Sequence, residues 1–296
     1  MAFPCSGVSL ELTDASSYIL NSYACAIFNL VLAVPTTLLN TSFIVAVLKS
    51  SDRAEPHQIL MLNLAITDLL TGIVSMPSQF ILFLHHAHLK DTCSYAGFAQ
   101  TFSYFLGIVS LLTLTAVATE RYVFIFNPHL HNAKLTSCFL IVIVIGTWMA
   151  SIAVSILFLF SGVKNAITAC IGVLASGVIF FCYTRIMIRA RRIRRQIAAE
   201  AERFGQRRVN KKDKNLLVVG GLIIISFFLC YSFAVITSAL KFFRIQSFPL
   251  SYMICWSWSL VLGNSFFNPI ISCTFNPKVR RKVVKLWTCG RKGGIL

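Results

Sequence analysis

Residues 135–160 read LTSCFLIVIVIGTWMASIAVSILFLF and contain no Asp, Glu, Lys or Arg. Lys134 and Lys164 bound this uncharged interval. An α-helix needs about 20 mostly apolar residues to cross the hydrocarbon core of a bilayer. The stretch is apolar throughout rather than alternating between apolar and polar residues, so it indicates a helix and not a barrel strand. We therefore predict that residues 135–160 span a membrane.

Six further intervals of the chain are long, apolar and poor in charged residues. The 296 residues are 56% hydrophobic and only 12% charged, whereas soluble domains carry about 25% charged residues. This composition excludes a soluble enzyme, a disordered chain and a fibrous protein. We predict an all-α membrane protein, a seven-transmembrane helix bundle over residues 23–274 with a short amphipathic eighth helix. The predicted spans are residues 23–49, 58–84, 95–125, 135–160, 165–196, 213–241 and 249–274.

The positions of the basic residues predict the orientation of the bundle. All but four of the 27 Lys and Arg residues lie on one side of the predicted spans. The four on the other side are Lys90, Lys164, Lys241 and Arg244. Because basic residues concentrate in cytoplasmic connections, we expect a multi-pass plasma-membrane protein with its N-terminus outside and its C-terminus in the cytoplasm. The net charge of +17 follows from this asymmetry, so it indicates contact with the lipid bilayer and not with nucleic acid.

The segments outside the predicted bundle are short. Residues 1–22 lack the basic start of a cleavable signal and are expected to form an extracellular tail. Residues 275–296 are expected to form a cytoplasmic helix and tail, in which the basic, amphipathic stretch 277–288 is typical of a membrane-surface helix. Cys289 follows that stretch and is a candidate for palmitoylation. The basic stretch 189–208 suits lipid headgroups and a direct binding partner equally well.

Polar residues inside the predicted spans mark a candidate functional site. Asp68 is the only acid in the core of a span, and a charge at that depth is costly and usually functional. The other polar residues that suit a site around it are Asn40, Ser110, Asn264, Ser265 and Asn268. Oxygen ligands of this kind suit a small cation, and they suit a hydrogen-bonded cluster that joins helices equally well.

Short motifs occur in a fixed order along the spans. They are Asn40, the stretch LAITD at 64–68, Glu120-Arg121-Tyr122, Trp148, Tyr183 and Asn268-Pro269-Ile270-Ile271. Each motif alone is weakly specific, but all of them in order, on helices of the predicted orientation, form a specific pattern. Over residues 23–288 the chain resembles the rhodopsin-like, class A G protein-coupled receptors.

The resemblance implies a non-enzymatic receptor that binds an extracellular ligand and activates a heterotrimeric G protein when helix six moves outward. Its switch and coupling residues would be Glu120, Arg121, Tyr122, Tyr183, Asp213, Asn268 and Pro269. An ion pair between Arg121 and Asp213 would hold helix six inward. The sodium pocket of the family maps onto Asp68, Ser110, Asn264, Ser265 and Asn268. This mapping favours a sodium ion as an allosteric modulator over a purely structural cluster.

The chain departs from the family pattern in helices six and seven. Tyr231-Ser232-Phe233 replaces the tryptophan and the kinking proline of helix six, and a helix without proline bends less easily. Ser272 replaces the tyrosine that ends the helix-seven motif, which removes the usual water-bridged contact to Tyr183. These changes leave a second function open, that of a signalling-impaired decoy or heterodimer partner.

The resemblance also limits the choice of ligand. The position at which amine receptors carry an acid is Ser103, which disfavours an amine held in that way. The retinal-binding lysine of opsins would fall at Leu262, so retinal is not expected as a cofactor. The candidate pocket residues are Phe102, Ser103, Leu106, Tyr231, Val235 and Trp258. This aromatic, mostly neutral set suits a small apolar ligand or a peptide, and a stripe of packing residues is the alternative.

Cysteines and histidines outside these motifs leave further alternatives open. Cys93 is a disulfide candidate by its nearness to the family position, with an unknown partner. The cysteines that remain available on the outer side are Cys5, Cys25, Cys170 and Cys255. The cluster of His85, His86 and His88 suits zinc binding or pH sensing, although three close histidines more often belong to a solvated loop.

Overall fold

The fold is described from a computed structural model of the chain. The residues that it describes are 2–3, 8–9, 15–49, 56–88, 93–160, 164–203, 226, 229–240, 243, 248–275 and 277–289. Almost all of them are helical, and the strands among them are β1 (Ala2–Phe3) and β2 (Val8–Ser9), a two-residue antiparallel pairing. The architecture is a seven-transmembrane helix bundle followed by an eighth, amphipathic helix, as the uncharged intervals predict.

The described helices follow the predicted spans closely. They are α1 (Ala15–Leu48), α2 (Pro56–Leu70), α3 (Met76–Ala87), α4 (Cys93–Phe126), α5 (Pro128–Lys134), α6 (Ser137–Phe160), α7 (Lys164–Arg203), α8 (Leu229–Leu240), α9 (Phe248–Phe275) and α10 (Pro277–Cys289). A π-helix (Thr71–Ser75) joins α2 to α3, so these three segments together form the second span. Of the sixth predicted span, 213–241, only residue 226 and α8 are described, and Asp213 lies outside the described residues.

Two helices extend further than their hydropathy predicts. Helix α1 begins at Ala15 rather than at residue 23, so the last part of the predicted N-terminal tail is already helical. Helix α7 continues to Arg203 rather than ending at residue 196. Hydropathy identifies the part of a helix that lies in hydrocarbon, whereas backbone hydrogen bonds continue into water wherever the sequence favours a helix.

Lipid-facing and buried surfaces have inverted polarity compared with a soluble protein. Five described helical segments are long and apolar enough to cross a membrane, and α8 is a shorter apolar helix. Large apolar side chains such as Leu20 and Leu174 are more than two-thirds exposed. Buried positions instead include many Ser, Thr and Asn side chains, which join helices in an environment without water. The chain is therefore a multi-pass membrane protein.

The second span approaches α1 closely at the π-helix. A Cβ added to Gly72 would lie 2.6 Å from the Thr37 hydroxyl oxygen and 3.1 Å from its backbone nitrogen. A larger residue would therefore require the Thr37 side chain or the α1 backbone to shift, whereas glycine allows the approach as it stands. A π-turn re-aims the residues that flank it, and Asp68 lies one turn before this one.

Helix α4 occupies the centre of the bundle, in contact with α2, α6 and α7. Helix α10 packs beside α1, where the indole nitrogen of Trp287 donates a hydrogen bond to the Ser42 hydroxyl at 3.1 Å. Val279 of α10 is buried against the bundle. The amphipathic helix therefore lies against the first span, at the basic end of the bundle.

Candidate functional site

Asp68 is completely buried at the centre of the bundle. Its Oδ2 atom accepts a hydrogen bond of 2.8 Å from the Asn268 amide, and the Ser265 hydroxyl lies beside the carboxylate. Asn268 precedes Pro269, which lies inside α9 and has no N–H to donate to the helix. The carboxylate of the second span is thus bound directly to the seventh.

Hydrogen-bonding capacity around Asp68 is not filled by described residues. Asp68 Oδ1, Asn40 Oδ1 and Asn264 Nδ2 are buried and make no hydrogen bond within the part of the chain that the structure describes. Asn40 uses its amide nitrogen to reach the backbone oxygens of Thr36 and Ser265, at 2.9 and 3.2 Å. Buried oxygens with unused lone pairs normally hold a water molecule or a cation. The donor set is oxygen-rich, as a hard cation requires.

Tyr231 connects this polar core with the helix-six segment. Its side chain shares a hydrogen bond with Ser110, and it lies close enough to Asp68 for a direct electrostatic interaction. Tyr231 is 8% exposed and Ser110 is 4% exposed. The residue at the switch position of helix six therefore touches the candidate cation pocket.

A small cavity lies between the polar core and the basic end of the bundle. Its volume is about 30 Å³, which is room for one or two water molecules. Its polar lining residues are Tyr183, Ser226, Asn264, Asn268 and Ser272. Ser272 and Tyr183 thus face one cavity, although serine cannot reach as far as the tyrosine that the family carries there.

Glu120 is the centre of a second polar cluster. Its Oε1 atom lies 2.8 Å from Nε2 of His131, and its Oε2 atom lies 3.4 Å from Nε of Arg121. Glu120 is only 4% exposed, so both contacts are made in a region of low dielectric constant. Tyr183 packs next to Arg121 and Glu120, and it links this cluster to the small cavity.

His131 is a functional candidate that the sequence analysis does not identify. It lies on α5, a short helix between the third and fourth spans, and is 9% exposed. Asn127-Pro128 at the start of α5 is a signal that was available, because Pro is favoured in the first turn of a helix. Nothing in the sequence predicts that the histidine reaches Glu120, since that contact depends on how α5 packs beneath α4.

Tyr122 points away from this cluster and toward α7. Its ring stacks on Phe126 with centroids 4.6 Å apart and contacts Phe181 at 5.8 Å. The Arg185 guanidinium lies 5.8 Å from the ring of Phe126. The predicted switch residues therefore divide into an ionic pair and an aromatic contact between helices.

The contacts of the described residues place the predicted pocket residues in different surroundings. Trp258 contacts the ring of Tyr104 at 6.4 Å. Phe102 instead stacks with Phe98 at 6.0 Å and contacts Phe105 at 6.3 Å. Leu106 is fully buried, and Val235 is half-buried on α8.

Ser103 is held by Gln79, a residue that the sequence analysis does not single out. The Gln79 amide nitrogen donates to the Ser103 hydroxyl at 3.2 Å and to the backbone oxygen of Ala99 at 3.4 Å. Gln79 is completely buried. A buried amide in the outer half of the second span could have been noticed as a costly polar residue.

The three histidines belong to the end of the second span rather than to a loop. His88 Nδ1 donates a hydrogen bond to the Leu84 backbone oxygen at 2.7 Å, and His88 Nε2 lies 3.4 Å from the Tyr23 hydroxyl. His85 packs on Tyr95. No group of three metal-ligating side chains occurs among the described residues. Cys93 and Cys289 are the terminal residues of α4 and α10, and their pairing and acylation stay predictions.

Comparison with known proteins supports the resemblance to rhodopsin-like receptors. The family described as "7 transmembrane receptor (rhodopsin family)" matches residues 39–171. A blue-sensitive opsin of Gallus gallus is 25% identical over 78% of this chain and 70% of its own length. These matches support a divergent member of the rhodopsin-like, class A G protein-coupled receptors. Members of this family are receptors rather than enzymes.

Other rhodopsin-like relatives match to a similar degree. A tyramine receptor of Caenorhabditis elegans is 28% identical over 43% of this chain and 28% of its own length. A RYamide receptor of Drosophila melanogaster is 24% identical over 78% of this chain and 58% of its own length. The chain thus spans about a quarter and somewhat over half of these two relatives, respectively.

Proposed function

We propose that this receptor converts the binding of an extracellular ligand into activation of a heterotrimeric G protein at the plasma membrane. The observation that carries the proposal is the buried Glu120 carboxylate, which engages Arg121 at the basic end of the bundle. That end would face the cytoplasm, with the N-terminus outside. An epitope tag at the N-terminus should be stained on intact cells, whereas staining only after permeabilisation would contradict this orientation.

Release of Arg121 is the step that would expose the G protein site. In the quiet state its charge is engaged by Glu120 and, in our proposal, by Asp213 of helix six. Agonist binding would favour a second state in which helix six has moved outward and Arg121 faces the partner. An ion pair of this kind contributes about 1 kcal/mol or less when exposed and more when desolvated, so it biases a two-state equilibrium without locking it.

The polar core would couple the outer half of the bundle to this switch. Tyr231 contacts Ser110 beside Asp68, Asp68 binds Asn268, and a small cavity separates Asn268 from Tyr183. Tyr183 in turn lies next to Arg121. Movement of helix six at Tyr231 would therefore disturb a series of polar groups, interrupted by this one cavity, that ends at Arg121.

The ligand class that we favour is a small apolar molecule or a peptide. Ser103 is neutral and already engaged by Gln79, so the outer part of α4 presents no acid to an amine. Leu262 is a buried apolar side chain with no amine for a Schiff base. A screen of apolar small molecules and peptides, with G protein activation as the readout, tests this choice. An amine that activates the receptor in the same screen would contradict it.

Sodium is the modulator that the polar core suits best. We propose that the ion binds Asp68 with Ser110, Asn264, Ser265 and Asn268 and favours the quiet state. Replacing sodium by a large organic cation at constant ionic strength should then raise agonist affinity in the native receptor but not in Asp68→Asn. An Asn268→Ala variant, which keeps the carboxylate, should retain a weakened response. A sodium response that Asp68→Asn leaves unchanged would exclude the site.

Basal activation of a panel of G protein classes tests the proposed function directly. The native receptor and Asp213→Ala are compared in cells at equal surface expression. A basal signal that rises in Asp213→Ala supports a working switch and identifies the coupled class.

A signalling-impaired decoy or heterodimer partner is the second candidate function. The observation in its favour is Ser272, which faces the same cavity as Tyr183 but is shorter than the tyrosine that the resemblance leads us to expect there. This alternative is favoured if the native receptor, Asp213→Ala and Glu120→Gln all show no basal G protein activation at confirmed surface expression.

A further inference from the structure

Three successive turns of α1 contact α9 near the first residues of both helices. The Trp256 indole nitrogen donates to Asn21 Oδ1 at 2.9 Å. Two turns further along α1, the Asn29 amide donates to the Ser259 hydroxyl at 2.8 Å. These two bonds fix the register of α1 against α9 on either side of the intervening turn.

That intervening turn carries one cysteine on each helix. Cys25 is 0% exposed and Cys255 is 4% exposed, and both are thiols in the structure. The Cys25 and Cys255 side chains are within hydrogen-bonding distance of each other, in a cluster with Ala26 and Phe83.

The helix register makes this contact a persistent one. Cys25 and Asn29 are four residues apart on α1, as Cys255 and Ser259 are on α9, so both pairs lie on the facing sides of their helices. Asn29 also donates to the Cys25 backbone oxygen at 2.8 Å, and Ser259 donates to that of Cys255 at 3.0 Å. A disulfide requires two cysteines whose side chains face each other at close range. The hydrogen bonds of Asn29 and Ser259 hold Cys25 and Cys255 in that arrangement.

We propose that Cys25 and Cys255 form an interhelical disulfide in the mature receptor, which joins its first and seventh spans. Each thiol loses a proton, a sulfur–sulfur bond forms, and the two electrons reduce a disulfide-bearing oxidant to two thiols. The pair lies toward the end of the bundle that the proposed orientation puts in the oxidising secretory lumen. The bond forms before α1 and α9 close completely over the two sulfurs, which are inaccessible afterwards.

Mass spectrometry on the native chain tests the bond itself. Receptor from intact cells is alkylated with N-ethylmaleimide during denaturation and digested with chymotrypsin without reductant. Cleavage after Tyr23, Phe28, Tyr252 and Trp256 separates the two cysteines from the others, as residues 24–28 and 253–256. We expect these two peptides linked, and separated by reductant. Recovery of both peptides carrying N-ethylmaleimide would overturn the proposal.

A thermal measurement tests the consequence for the bundle. Removing a disulfide that closes a long loop lowers stability. Because a small-molecule reductant reaches the two buried sulfurs only as the bundle opens, the receptor is heated slowly in detergent with the reductant present, and we expect its Tm to fall by roughly 5–10 °C. Cys25→Ala and Cys255→Ala should each abolish this reductant-induced shift. Cys230→Ala is the matched control, because Cys230 is equally buried on α8, and it should retain the shift. A full shift in Cys25→Ala would overturn the proposal.

The orientation assay separates this proposal from the proposed function. Unlinked peptides from a chain whose N-terminal tag is accessible on intact cells would overturn the disulfide alone. The G protein assay depends neither on the peptide result nor on the tag result, so it tests the proposed function separately.

Discussion

Neutralising Glu120 should raise basal signalling by the receptor. The carboxylate contacts His131 at 2.8 Å and Arg121 at 3.4 Å, and its side chain is 3% exposed. In Glu120→Gln the side chain keeps its size and part of its hydrogen-bonding capacity but loses its charge. Arg121 would then be held less firmly in the quiet state, whereas the active state, in which Arg121 has left Glu120, would lose nothing.

The expected size of the effect follows from these contacts. Glu120 and Arg121 form an ion pair at 3.4 Å in which the Arg121 side chain is partly exposed, and such a pair contributes up to about 1 kcal/mol. Loss of the charge should therefore shift the balance between the quiet and active states by up to roughly 1 kcal/mol. Since 1.4 kcal/mol corresponds to a factor of ten, we expect basal activity to rise up to roughly fivefold.

Basal G protein activation per surface receptor is the measurement. Glu120→Asp, which keeps the charge on a shorter side chain, is the matched control and should stay closer to the native level. A basal signal from Glu120→Gln that is equal to or below the native one, in cells where Asp213→Ala is active, would refute the assigned role of Glu120.

Two further predictions concern the packing of the second span. The Asn63 side chain forms hydrogen bonds with a threonine of α4 and a tryptophan of α6, each at 2.8 Å. Hydrogen bonds between membrane helices average about 0.6 kcal/mol and reach about 1.7 kcal/mol. Asn63→Leu removes both bonds and should therefore lower Tm by about 2–6 °C. Thr115→Val, which removes a bond within one helix only, should have a smaller effect, and equal shifts would contradict a joining role. Gly72→Ala should also lower Tm, since its Cβ would lie 2.6 Å from the Thr37 hydroxyl, whereas Gly146→Ala meets nothing within 4 Å and should leave Tm unchanged or raised. A Gly72→Ala receptor as stable as the native one would show that α1 yields at this contact.

The spans were predictable because hydropathy along the chain reflects transfer into lipid, which acts on each segment separately. The ends of the helices were less predictable. Helices α1 and α7 extend beyond the hydrocarbon, where local helix propensity and not hydropathy determines where a helix ends. Helix α5 was missed because seven residues (Pro128–Lys134) carry too weak a periodic signal. The π-helix at Thr71–Ser75 was also missed, since nothing local distinguishes it from an α-helix.

The amino-acid sequence by itself determined the class of protein, the approximate spans and the family motifs, including Asp68 as the single acid in a span core. These features are carried by composition, by order along the chain and by residue types that are costly in lipid. Only the tertiary structure decided which side chains meet: His131 with Glu120, Gln79 with Ser103, Tyr231 with Ser110, and Cys25 with Cys255. Such contacts join residues of different helices, and they depend on the rotation and register with which the helices pack. Those are set by the whole bundle at once and not by any one segment.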